Sequence, residues 1–351
     1  MLLDEFQSQI GKSKKILITG HTGFKGAWLT LLLERLGYEL CGISLEAEKD
    51  SLFQALNRTG VIQEKFIDIR NREKLNSAIV EMNPSIVFHL AAQPLVLKSY
   101  KEPVETFEIN VIGTANLLDA SFKSKSIEAV SIITTDKVYA NNNTGRKFQE
   151  TDPLVGKDPY SASKVATESV VAAWQQIKKT STGPQLLSLR AGNVIGGGDS
   201  AENRLLPDLV KGFIKGEIVE IRNSKSTRPW QHVLDPLAGY LLATAYKAKN
   251  EDLSSVNFAP EGESLTVQRV SEIACSTWGD GARVKILDGD SELEAHTLQL
   301  DSSQAKNKLN WHPMWSQENA VSATVDWWRG THSKKVSALE ACNLDLDFLL
   351  Q

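Results

Sequence analysis

Cysteine is scarce in this chain. Three occur among 351 residues, Cys41, Cys275 and Cys342. They are odd in number, far apart and outside any CxxC or Cys/His spacing, which argues against a disulfide framework or a zinc site. Long apolar runs are also missing, and nothing approaches the length of a membrane span. The opening stretch MLLDEFQSQIGKSKK meets acids early and does not read as a secretory signal. A cytoplasmic protein is therefore expected. Neither sign of charge dominates: 39 Lys and Arg face 43 Asp and Glu, a net charge of -4. That balance speaks against broad attraction to nucleic acid or a membrane surface, so any anion must be held by local placement of groups. No metal is expected. His232 and His296 lack ligand spacing and are read as hydrogen-bonding residues or as silent.

Short apolar runs recur from Lys14 to about Arg190: KKILITG (14–20), ELCGIS (39–44), EKFIDI (64–69), SIVFHLAA (85–92), AVSIITT (129–135) and QLLSLRA (185–191). Amphipathic stretches such as GAWLTLLLERLG (26–37) and VIGTANLLDASFKS (111–124) lie between them. Runs too short for helices, alternating with helical periodicity, predict βαβ units and a doubly wound parallel α/β sheet. After Asn193 the texture turns rich in Gly, Pro and charge. A helix is expected over 235–249, with Asp235 as its N-cap and Pro236 in its first turn. The expected organisation is a dinucleotide-binding domain over 1–192 with a return segment at 233–260. A smaller α/β substrate region takes 193–232 and 261–330, and a weakly patterned tail runs over 331–351.

The stretch ILITGHTGFKGAWL sets Gly20, Gly23 and Gly26 between the first strand and the first helix. The spacing is GxxGxxG. Gly20 permits the tight turn, Gly23 lets backbone approach a pyrophosphate, and Gly26 lets helix and strand pack closely. The helix N-terminus offers N–H groups to phosphates. Thr22 and Phe24 belong to the same loop and are taken as cofactor contacts. The second strand ends at Ser44, not at an acid, and Glu46 stands close by for the adenosine ribose. No arginine stands there to take a 2′-phosphate, which favours NAD, while His21 and Lys25 leave NADP open. Asp68, with Ile69, either reaches the adenine amine or caps a turn.

Tyr160 and Lys164, in DPYSASKVATESVV, are four residues apart and share a helix face. An ammonium beside a phenol lowers its pKa, so such a tyrosine can take a hydroxyl proton as hydride leaves for a nicotinamide. TGxxGxxG at 19–26, HLAAQP at 89–94, NVIGT at 110–114, YxxxK at 160–164 and RAGNVIGGGD at 190–199 together resemble an extended short-chain dehydrogenase/reductase acting on a nucleotide sugar. GHTGFKG, TTDKVY, RPWQHVLDPLAGY and LNWHPMW narrow the resemblance to the CDP-glucose 4,6-dehydratase family. It runs from about Lys15 to Trp328.

The resemblance implies a Rossmann fold, bound NAD regenerated in each cycle, CDP-glucose as substrate and a homodimer formed through 111–124 and 160–176. It also implies CDP-4-dehydro-6-deoxyglucose as product. Thr135 is expected to hydrogen-bond the sugar 4-oxygen beside Tyr160. Asp136 is the acid for the 6-hydroxyl, which requires burial to raise its pKa. Many related sugar dehydratases follow that Asp with a Glu base, but here Lys137 follows. It is either a neutral base at C-5 or a charged stabiliser of the enolate. Leu90, Ala91 and Ala92 are expected along the nicotinamide, and Gln93 at the sugar. Asn110 either fixes a group behind the tyrosine or opens a helix. Asn193, Arg228 and, more weakly, Arg204 are expected at the substrate diphosphate. Trp230 is read as core. Two rivals stay open: a nucleotide-sugar epimerase on the same scaffold, and a catalytically silent dinucleotide sensor.

Overall fold

The computed structural model describes residues 4–141, 145–250, 252–287 and 298–351. His296 lies outside the described residues. Seven strands form one parallel sheet: β1 Lys15–Thr19, β2 Glu39–Ser44, β3 Gln63–Phe66, β4 Ile86–His89, β5 Ala129–Ile133, β6 Gln185–Ala191 and β7 Ser255–Phe258. Their order across the sheet is β7-β6-β5-β4-β1-β2-β3. The central strands are buried on both faces, which is why they read as continuous apolar runs. Alternation then sorts the side chains. Ile16 and Ile18 of β1 enter one core and Leu17 enters the other.

Eight helices carry the argument: α1 Asp4–Ile10, α2 Phe24–Arg35, α3 Arg72–Met82, α4 Gly113–Lys123, α5 Pro159–Lys178, α6 Leu234–Lys249, α7 Gln317–His332 and α8 Ala338–Leu349. The first core holds residues of α1, α2, α6, α7 and α8, and the second holds residues of α3, α4 and α5. Between β3 and β4 the chain crosses to the other side of β1, which β2 and β4 then flank. The crevice at the carboxyl ends of β1 and β4 is where such sheets bind ligands.

β2 and β6 match their apolar runs residue for residue, but the other four expected strands stop short at their carboxyl ends. The residues left over, Gly20, Ile67–Ile69, Leu90–Ala92 and Thr134–Thr135, form the turns that edge the crevice. They are apolar or small because they pack closely there, and so they extend the sequence signal past the last ladder bond.

Two expectations are corrected. The helix expected over 235–249 begins at Leu234, and its N-cap is Val233, which makes no side-chain cap. Asp235 sits inside the first turn instead. Its carboxylate accepts the Met314 N–H at 2.6 Å, and its carbonyl accepts Trp311 Nε1 at 3.0 Å. Burial pushes the Asp235 carboxyl up to about 7. The weakly patterned tail is an ordered helix. Ser337 and Glu340 form a capping box at the start of α8, and Ala341, Cys342, Leu346 and Leu349 are buried. Asp345 of α8 lies 3.3 Å from the buried His232, whose ring stacks on Trp315 at 4.2 Å. Trp230, 6% exposed, is a core residue as read from sequence.

Candidate active site

The glycine loop occupies the β1–α2 junction. Gly20 has φ 76°, and a Cβ there would lie 2.7 Å from Ala91 N. At Gly26 a Cβ would lie 2.0 Å from Gly20 O, so neither position admits a side chain. Gly23 is exposed and its added Cβ would meet only Gly20 O, at 3.3 Å, which leaves backbone open to an approaching ligand. Gly23 is also the N-cap of α2 and supplies no side-chain cap. The first N–H groups of α2 thus lack intrahelical partners and face outward as an anion cradle. Thr22 ties the loop to β2 through Ser44 Oγ at 2.6 Å and Leu45 O at 3.0 Å. Phe24 is half-buried, its ring tip 3.3 Å from where a Cβ on Gly196 would stand.

The polar residues read near the adenosine divide. His21 is fully buried beneath the loop and donates to Glu64 of β3 at 2.9 Å. Burial lowers its pKa, with Glu64 opposing, and the ring packs against Phe53 and Phe66. Glu46 is exposed beyond β2. Asp68 accepts the Arg70 backbone N–H at 2.8 Å and its guanidinium at 2.6 Å, and those bonds hold its carboxyl below the ordinary range. The turn-capping alternative is the one these contacts support. Ile69 is buried, and its side chain fills the space over Gly113.

A polar relay absent from the sequence reading runs behind the HLAA turn. Thr114 Oγ1 donates to Asn110 O at 2.7 Å, so it accepts from His89 Nε2 at 3.0 Å. His89 Nδ1 then accepts from Thr19 Oγ1 at 2.6 Å. Burial pushes His89 down to about 3, so the ring is neutral. Thr19 also receives the Ala91 N–H at 3.3 Å and its carbonyl the Leu90 N–H at 3.0 Å, which fixes Leu90–Ala92 against the glycine loop.

Asn110 lies in a π-helical turn, Glu108–Ile112, that leads into α4. Its side chain accepts from Gln93 N at 2.8 Å and donates to Gln93 O at 3.1 Å and Ser163 Oγ at 2.8 Å. Ser163 Oγ in turn donates to Tyr160 O at 2.7 Å. Asn110 thus fixes backbone behind the tyrosine and opens no helix. Gln93 needs correction. Its amide bonds Leu95 N at 2.6 Å, Leu95 O at 3.1 Å and Thr106 Oγ1 at 2.9 Å, so it shapes the 93–106 segment and does not point at a sugar.

Thr135, Asp136, Lys137, Tyr160 and Lys164 converge. Thr135 Oγ1 donates to Asp136 Oδ1 at 2.9 Å and hydrogen-bonds the Tyr160 phenol. Asp136, 2% exposed, forms an ion pair with Lys137 at 3.4 Å. Gly192 makes room for that carboxylate: a Cβ there would stand 3.2 Å from Asp136 Oδ2 and 3.4 Å from Pro229 Cγ. Asp136 raises the pKa of Lys137 against the effect of burial, so Lys137 is an ammonium. Burial raises the Tyr160 pKa, Lys137 is the strongest neighbour lowering it, and Thr135 and Arg204 add to that. Lys137 thus joins Lys164 as a cation close to the phenol. Lys164 Nζ donates to Ile133 O at 3.2 Å, and burial pushes it down to about 8 with Glu168 opposing.

Lys25, at the second residue of α2, has no ion-pair or hydrogen-bond partner among the described residues. Burial and the nearby Arg204 and Lys164 push it down to about 7. Arg204 pairs with Asp199 at 2.8 Å. Arg228 is half-buried in a two-residue strand, and its Nη1 donates to Thr227 O at 2.8 Å. Asn193 opens a short strand, Asn193–Ile195, paired in parallel with Trp230–His232. Among the described residues no cluster of His, Cys, Asp and Glu could hold a metal.

The GDP-mannose 4,6 dehydratase family model matches residues 17–324. The CDP-glucose 4,6-dehydratase of Salmonella typhimurium is 41% identical over 326 residues, covering 90% of each chain. The UDP-glucose 4-epimerase of Thermus thermophilus, solved with NAD, superposes with a TM-score of 0.77 at 25% identity, over 90% of this chain and 99% of that one. DesIV, a dTDP-glucose 4,6-dehydratase of Streptomyces venezuelae solved with NAD and TYD, gives 0.78 at 22% identity, over 91% and 98%, and shares the fold. A family model spanning most of the chain, and a relative of that identity along nearly all of it, lead to one assignment: the chain belongs to the GDP-mannose 4,6 dehydratase family.

Proposed function

We propose that the chain is an NAD-dependent lyase that converts CDP-glucose to CDP-4-dehydro-6-deoxyglucose and water. The observation that carries this reading is the Asp136–Lys137 ion pair set beside the Tyr160 phenol by Thr135. An epimerase on this scaffold needs the tyrosine but has no use for a second acid–base pair. The side-chain-free cradle at Gly20 and Gly26, open at Gly23, fits the pyrophosphate of NAD. When bound, NAD supplies the hydride chemistry that side chains lack.

The residues supply the proton steps. Tyr160, once ionised with Lys137 as its counter-charge, takes the proton of the sugar 4-hydroxyl, and Thr135 holds the oxygen. The resulting 4-keto group acidifies C-5. Movement of one proton along the Asp136–Lys137 contact turns an ion pair into a carboxylic acid and a neutral amine. Lys137 then takes the C-5 proton while Asp136 gives its own to the departing 6-hydroxyl, and the ion pair is restored. Lys137 returns a proton to C-5 at the end, and Tyr160 then passes the proton taken from the 4-oxygen to Lys137, which restores the ammonium and readies the tyrosine for the next cycle. Both alternatives weighed for Lys137 thus describe one residue, an ammonium at rest and an amine during elimination. Arg228, Arg204 and Asn193 are proposed at the substrate diphosphate, with Lys25 facing the same anionic zone.

Residues 1–192 with 233–260 are proposed to hold the cofactor, and 193–232 with 261–330 the sugar nucleotide. We further propose a cytoplasmic homodimer that supplies deoxysugars for surface polysaccharide such as lipopolysaccharide. The exposed Ala172, Ala173 and Ile177 on α5 and Ile112 before α4 support the dimer face. No helix among the described residues is long and apolar enough to cross a membrane. The test is a panel of nucleotide-linked glucoses with NAD, read by product mass. CDP-glucose should give a product lighter by one water. A product of unchanged mass would establish the epimerase, and no product from any sugar would leave the sensor.

A further inference from the structure

Behind the reacting groups lies a buried charge cluster that the steps above do not use. Tyr160, Lys164 and Glu168 follow each other at four-residue intervals on α5 and line one inward face. Glu168 Oε1 accepts Thr134 Oγ1 at 2.6 Å and Arg190 Nε at 2.8 Å, and Oε2 accepts Arg190 Nη2 at 2.9 Å. Arg190, on β6, spends its other nitrogen on Tyr139 OH at 2.7 Å. Tyr139 OH donates onward to Asn257 Oδ1 of β7 at 2.7 Å. Glu168 is 7% exposed and Arg190 4%. The cluster therefore joins α5, β6, β7 and the residue just before Thr135.

We propose that Glu168, clamped by Arg190, is a positioning residue with two tasks: it anchors Thr134 at the strand end that carries Thr135–Asp136–Lys137, and it supplies the counter-charge for Lys164. The inference rests on the dehydratase reading for its kinetic part only. A bidentate fork inside the core allows one orientation of the carboxylate, and that orientation leaves Oε1 to meet Thr134. Burial alone would lift the Glu168 carboxyl, but Arg190, Thr134 and Ser188 hold it below its ordinary range, so it stays charged. The groups facing Lys164 are Tyr160 and Glu168 on α5, His89 at the end of β4 and Lys25 on α2. Of these, Glu168 raises the Lys164 pKa.

Glu168→Gln alone leaves Arg190 buried without a counter-charge, so the double variant Glu168→Gln/Arg190→Met, which removes both charges together, decides the matter. Folding is checked by circular dichroism. The Lys164 titration is read in the substrate-free protein by NMR of lysine labelled at Cε. Loss of the counter-charge should lower that titration by about one pH unit. Thr134→Val should lower kcat roughly fivefold, the order of one lost hydrogen bond, without moving the Lys164 titration. An unchanged Lys164 titration in the folded double variant overturns the proposal. Wild-type protein that titrates as described but turns over no CDP-glucose would sink the dehydratase reading and leave this one standing.

Discussion

Tyr160→Phe abolishes turnover and leaves NAD binding nearly intact. The expected loss in kcat is about 10³-fold or more, since the variant lacks the group that takes the 4-hydroxyl proton and every later step waits on the ketone. The substitution removes one oxygen and little else. Tyr160 N keeps its bond to Ser99 Oγ, at 3.1 Å, and Ser163 keeps the Tyr160 carbonyl. The ring is already 8% exposed, so the phenyl group has a ready-made slot. None of the glycine-loop contacts passes through the phenol. Turnover of CDP-glucose and a cofactor titration, measured on the same preparation, check both halves. Activity above a tenth of wild type would remove Tyr160 from its role.

Asp136→Asn is the second large effect, about 10²- to 10⁴-fold in kcat, and it stops the reaction at a different place. Tyr160 and Thr135 remain, so the 4-hydroxyl can still be oxidised. The amide cannot give a proton to the departing 6-hydroxyl. It also removes the group that most raises the Lys137 pKa, so Lys137 becomes neutral more readily. A neutral amine can still exchange the C-5 proton. In heavy water the variant should therefore build up a trappable 4-keto sugar that retains its 6-hydroxyl and has taken deuterium at C-5. Dehydration at near wild-type rate would mean that the acid lies elsewhere.

Sheet class, glycine loop and the grouping of Thr135, Asp136 and Lys137 with Tyr160 were legible in the sequence, for a physical reason. Strands buried on both faces need continuous apolar runs, and Gly20 and Gly26 sit where no Cβ fits. The α8 helix was not legible, because Leu339, Leu344 and Phe348 are exposed apolar residues that blur the buried face of Ala341, Cys342, Leu346 and Leu349; Ser337 with Glu340 three residues on was the signal that would have found it. Asp235 looked like a cap because local sequence cannot show that Met314, 79 residues away, takes its carboxylate. Glu168 was within reach as the next four-residue step after Tyr160 and Lys164. Its partner Arg190 and the allowance that Gly192 makes for Asp136 are long-range facts with no local trace.

The π-helical turn at Glu108–Ile112 carries one residue more than an α-helical turn would hold. That surplus residue is what lets two obligations coexist. Asn110 must face Gln93 and Ser163, while Leu117 and Leu118 one stretch later must face the core. Deleting Val111, which lies in the turn between them, would give a more regular helix, yet it would turn one of these faces by about 100° against the other. Such a variant should hold as much helix by circular dichroism and lose most of its activity, since the turn behind Tyr160 would have no anchor. The irregularity is a phase adjustment between binding site and core, and straightening it puts the two out of step.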